Sequence, residues 1–120
     1  MNRLIVGACI ATVVSLVPFA AWAHAHPQTF VPAQNAVLRT SPGIVQVTFD
    51  DPIERLYSKI TVSAAVKPSA VLATGGRDPR NGKALTVKLP RLRSGKYLVH
   101  WQAMADDGHP GHGDYQFTVR

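Results

Sequence analysis

Four of the five histidines in this chain fall at two places. His24 and His26 stand near the start, in the run Ala23-His24-Ala25-His26-Pro27. His109 and His112 stand in a polar, glycine-rich stretch, residues 105–113, which also holds Asp107. If the chain is cut before His24, that residue carries a free α-amine and an imidazole, two nitrogens able to close a chelate ring on one metal ion. Nitrogen and oxygen donors in a plane suit Cu(II), which also tops the affinity order for such sites. Asp107 and His109 are two residues apart, and in extended backbone such side chains project to the same side. The carboxylate of Asp107 and the ring of His109 would then complete a square plane with the amine and ring of His24. His26 opens a second geometry, in which Cu(II) takes the amine, two deprotonated amides and the third-residue imidazole. Both geometries use the same amine and exclude each other; the plane with Asp107 and His109 is favoured because it leaves the amides protonated. His112 is a spare ligand. His100 lies between Val99 and Trp101 and by alternation turns away from the core.

The free amine requires processing, and the first residues supply the signal for it. Arg3 gives a positive start, residues 4–20 are almost unbroken apolar, and Ala21-Trp22-Ala23 has small residues at its first and third positions. This is the layout of a secretory signal peptide cut after Ala23, with residues 24–120 as one mature domain and a periplasmic location. The cut removes Arg3 and Cys9, the one cysteine, so the net charge of +6 becomes +5. No disulfide or thiolate ligand is left, and Met104 is the single mature thioether.

The elements that must hold the ligands read as strands. Val45, Val47 and Phe49 alternate with polar residues, as do Ile60 and Val62, then Leu85, Val87 and Leu89. Tyr97, Val99 and Trp101 form a fourth such set, and Tyr115, Phe117 and Val119 a fifth. Period-two alternation marks half-buried strands. Phe30-Val31 and Val71-Leu72 add two shorter candidates. Ser41-Pro42-Gly43, Asp51-Pro52, Gly75-Gly76, Asn81-Gly82, Ser94-Gly95 and the glycines from 108 to 113 read as breakers. No window carries a capped helical period. The pattern predicts an all-β fold, a sandwich or Greek-key barrel.

A length of 120 residues excludes the large enzyme scaffolds. No nucleophile set of the Ser-His-Asp or Cys-His kind is present, and the seven acids are too scattered for a paired-carboxylate hydrolase. The basic balance could suit nucleic acid, but export and the lack of interleaved aromatics argue against it.

The mature chain resembles the periplasmic copper-resistance CopC family along nearly its whole length. The resemblance is carried by His24-Ala25-His26, by Val47 to Pro52, by residues 92–97 with Val99 and Trp101, by Asp107-Gly108-His109-Pro110, and by Phe117-Thr118-Val119. It implies an immunoglobulin-like Greek-key β-barrel and one Cu(II) per chain on His24, Asp107 and His109. It also implies a carboxylate at Asp51 that hydrogen-bonds a ligand, although the family usually has the longer Glu there. A copper carrier or buffer follows, monomeric, not an enzyme, with an inner-membrane copper transport protein as partner. The Met-rich Cu(I) segment of some members is missing. Two other readings compete: a copper oxidase of the polysaccharide monooxygenase type, and a metal-free β-sandwich interaction module. Asp107 would occupy the position that oxygen needs in the oxidase.

Overall fold

The computed structural model describes residues 25–120. The segment expected to be a signal peptide, and His24, lie outside the described residues. Eight strands run in order: β1 Pro27–Val31, β2 Val37–Leu38, β3 Ile44–Phe49, β4 Lys59–Ala64, β5 Val71–Asp78, β6 Asn81–Lys88, β7 Gly95–Met104 and β8 Pro110–Val119. Among the described residues there is no helix, so the all-β expectation holds.

The strands form one curled sheet in the order β1-β3-β6-β5-β4-β7-β8-β2. All pairings are antiparallel except that of β2 with β8. Strands β4, β5 and β6 follow one another as neighbours, and β3 returns to lie beside β6, which is a Greek key. The two halves of the curl face each other. The alternating apolar positions named above supply both inner faces: Val45, Val47 and Phe49 from β3 and Leu85 and Val87 from β6 on one side. Ile60 and Val62 from β4, Val99 and Trp101 from β7, and Phe117 from β8 close the other side. The ring of Phe49 meets the ring of Trp101 edge-on at 5.2 Å, joining the halves.

Three breaker readings give way. Gly75-Gly76 lies inside β5, at the point where that strand leaves β4 (Ile60 opposite Gly75) and joins β6 (Gly76 opposite Thr86). A Cβ on Gly75 would stand 2.0 Å from the Thr86 carbonyl oxygen. Glycine is there to admit a neighbouring backbone, a use of glycine inside strands that reads as a turn in sequence. Asn81-Gly82 opens β6, and the turn before it is Pro79-Arg80. Of the glycine-rich stretch, residues 110–113 belong to β8, with Gly113 opposite Trp101. A Cβ on Gly113 would lie 2.6 Å from the indole, so glycine there makes room for the Trp101 ring.

The register sorts the connections into two ends. Residues 50–58, the β5–β6 turn and residues 105–109 lie at one end. Residues 39–43, 65–70 and 89–94 lie at the other, where Ala65 N–H donates to the Lys96 carbonyl at 2.9 Å.

Candidate metal centre

Asp107 and His109 sit in the tight turn that joins β7 to β8. Gly108 has φ of 84°, a left-handed conformation that glycine adopts without strain. Its N–H donates to the Ala105 carbonyl at 2.9 Å, and the Ala105 N–H to the His109 carbonyl at 3.2 Å. The backbone here is folded, not extended. The two side chains meet because the turn closes on itself, a different cause from the alternation expected. One carboxylate oxygen of Asp107, Oδ1, accepts the His109 N–H at 3.0 Å. The other, Oδ2, lies 3.0 Å from His109 Nδ1. The first contact fixes the carboxylate, and the second aligns the ring with it.

Residues 25–26 reach the same end of the sheet. His26 N–H donates to Asp50 Oδ1 at 2.7 Å, and Asp50 N–H returns a bond to the His26 carbonyl at 3.0 Å. Ala25 is buried in the core cluster, while the His26 side chain is exposed. Asp50 follows β3 directly. Three residues later Ile53 bridges Ala105, which leads into the turn of Asp107. The segments of residues 25–26, 50–53 and 105–109 are therefore stitched into one end of the molecule.

Asp51 is exposed, and with Pro52, Ala105, Asp106 and Asp107 it lines a shallow hollow. The carboxylate that holds the His26 backbone is that of the neighbouring Asp50, which sequence reading passed over. An Asp-Asp-Pro run gives no sign of which carboxylate turns inward. His112 does not join Asp107 and His109. It lies on the outer face of β8, across from Gln102, with its ring 6.3 Å from that of His100. His100 Nδ1 is 2.7 Å from Asp114 Oδ1 on the same face.

Among the described residues, no three His, Cys, Asp or Glu side chains are grouped to hold a metal ion. Asp107 and His109 supply two donors. Two donors at right angles in a plane with bonds near 2.0 Å stand about 2.8 Å apart. The 3.0 Å between Oδ2 and Nδ1 is an ordinary hydrogen-bond distance that also lies close to that edge, so an ion taking nitrogen and oxygen in a plane could replace the proton between them.

Comparison with known proteins agrees with this chemistry. The CopC domain family matches residues 28–120. Protein YobA of Escherichia coli strain K12 is 31% identical over 107 residues, which cover 88% of this chain and 86% of that protein. Copper resistance protein C of Escherichia coli is 31% identical over 115 residues, covering 87% of each. The crystal structure of CopC from Methylosinus trichosporium OB3b superposes with a TM-score of 0.72 at 26% identity, over 80% of this chain and 93% of that one. The methionine-rich copper resistance protein PcoC of Escherichia coli follows, with a TM-score of 0.64 at 25% identity, over 82% of this chain and 100% of that one. By sequence and by fold the chain belongs to the CopC domain family, and two of the relatives above are copper-resistance proteins by name.

Proposed function

We propose that the chain is a periplasmic carrier or buffer of Cu(II), taking one ion per chain. Copper is cargo here. Its ligands are the α-amine and ring of His24, one oxygen of Asp107 and Nδ1 of His109. The observation that carries the reading is the 3.0 Å spacing of Asp107 Oδ2 and His109 Nδ1, which fits a cis edge of a copper plane. The turn holds both donors before any ion arrives, so little ordering is needed on binding.

The chain start supports the same arrangement. Copper on the His24-Ala25-His26 peptide alone would deprotonate the His26 amide. That N–H is donated to the Asp50 carboxylate, and an amide anion beside a carboxylate is repelled. Asp51 and His112 are outside the plane in this reading; Asp51 borders it from the hollow beside Asp107. Four N/O donors in a plane hold the ion until competing ligands displace it. Such ligands would come from an inner-membrane copper transport protein.

The test is a Cu(II) titration of the chain beginning at His24, read by electron paramagnetic resonance. Asp107→Ala and His109→Ala should each alter the spectrum and weaken binding by tenfold or more. One extra residue before His24 should do the same, because the amine is lost. Affinity should fall as pH drops below about 6, where imidazoles protonate. Binding unchanged in both alanine variants would place copper on the peptide alone and end this reading.

A further inference from the structure

The register divides the charges unevenly between the two ends. At the end opposite the Asp107 turn, Arg39 follows β2, Lys67 sits in the β4–β5 connection and Lys88 ends β6. Arg91 and Arg93 lie between β6 and β7, Lys96 opens β7, and Arg120 follows β8. All seven side chains belong to exposed residues, and none is in an ion pair among the described residues. No Asp or Glu occurs in residues 27–49, 59–77 or 79–105, nor after Asp114. The acids collect at the other end instead: Asp50, Asp51, Glu54, Asp78, Asp106 and Asp107, against Arg55, Lys59, Arg77, Arg80 and Lys83. Only Asp114 lies between, midway along β8. The excess positive charge of the domain is therefore concentrated at one pole.

Two further features mark that pole. Arg39, Arg91, Arg93 and Arg120 line one open groove of about 660 Å³ together with Thr40, Ser41 and Ser94. Guanidinium groups converging on a concave polar surface suit phosphate, which they bind in bidentate fashion. Exposed aliphatic side chains stand at the same end, outside the groove's lining. Val66, beside Lys67 at the tip of the β4–β5 connection, is 94% exposed, and Val37, Val71 and Leu72 are exposed as well.

We propose that this pole docks on the anionic phospholipid surface of a membrane, with the arginines on headgroup phosphates and Val66 entering the headgroup layer. The cations come from six separate connections and strand ends, and three of the seven lie outside the groove. That dispersion matches a surface whose anions can rearrange beneath it better than it matches one acidic peptide. Exposed aliphatics among cations are the composition of interfacial binding, in which apolar area and charge act together. Docked in this way, the domain turns Asp107 and His109 away from the membrane. The inference rests on charge and exposure, and stands or falls independently of copper binding.

The test uses the chain from His24, since every strand and the whole described core lie within residues 25–120 and the apolar leader would itself partition into lipid. Binding is measured by cosedimentation with vesicles of phosphatidylcholine alone and with phosphatidylglycerol added. The expected result is binding to the mixed vesicles only, falling steeply with salt. Each Lys or Arg near an anionic surface contributes about fivefold to partition. Arg91→Gln with Arg93→Gln should therefore lose roughly 25-fold. The charge-matched pair Arg80→Gln with Lys83→Gln, at the far end, should stay within about threefold of the parent. Val66→Asp should remove several-fold more at any salt concentration. Absence of binding to the mixed vesicles would overturn the proposal and leave an acidic protein as the occupant of this pole. Equal losses in the two matched pairs would overturn it too, since net charge and not the pole would then be responsible.

Discussion

Asp50 shows how one carboxylate can position a residue next to the proposed copper ligands without being one of them. It receives the His26 N–H at 2.7 Å while its own N–H bonds the His26 carbonyl, so it clamps the residue pair that follows His24. Hydrogen bonds to a charged acceptor are worth about 1.5–3 kcal/mol, less where water competes. Asp50→Ala should weaken Cu(II) binding about tenfold in a competitive titration, while Asp50→Asn, which keeps an acceptor, recovers most of it. Tyr115 is the other residue whose chemistry is decided by its surroundings. Its hydroxyl is buried with no hydrogen-bond partner among the described residues, and burial pushes its pKa well above the usual value near 10. The folded chain keeps the phenol proton where the unfolded chain releases it. This titration therefore leaves stability unchanged below pH of about 10 and lowers it as pH rises further. Tyr115→Phe removes an unsatisfied polar atom. It should leave stability unchanged or raise it by about 1 kcal/mol near neutrality, and it should flatten the alkaline loss in urea melts followed across pH.

Strand β5 carries the sheet from one half to the other, and Gly75 is its crossing point. The atoms that a Cβ would strike are backbone, the Thr86 oxygen at 2.0 Å and the Val87 Cα at 2.8 Å, and neither can swing aside. Gly75→Ala should cost about 3 kcal/mol in urea unfolding. Gly113→Ala meets the Trp101 ring instead, and should cost less because a side chain can shift. Gly43→Ala and Gly82→Ala, with open space around them, serve as controls and should change little. These glycines also explain what could and could not be read from the sequence. The five alternating sets are all strands, because alternation records burial on one face and the core draws on it directly. Gly75-Gly76 and the glycines of β8 read as breakers because sequence shows flexibility but not the neighbour that demands it. Strand β2 has two residues and pairs in parallel with β8, too short to leave a period. The Asp107-Gly108-His109 pairing was legible as a pair of donors. The turn that makes them meet was not, since it depends on where β7 ends and β8 begins.

At the scale of the whole molecule, the ten-residue strands β7 and β8 are the axis. The Asp107 turn is at one tip, and Lys96 and Arg120 stand near the other. A length of ten residues at about 3.3 Å each separates the two chemistries by roughly 30 Å. At physiological salt, charges that far apart are screened from each other, so the basic pole neither attracts nor repels charge at the Asp107 end appreciably. Yet the two ends are not mechanically independent. Because β5 pairs with β4 over its first half and with β6 over its second, neither half of the curl can open without stripping a strand from the other. The domain has no seam at which to come apart in stages. A ligand bound at either tip would therefore raise the free energy of global unfolding for the whole domain, and any exchange that needs that unfolding would slow at both tips alike.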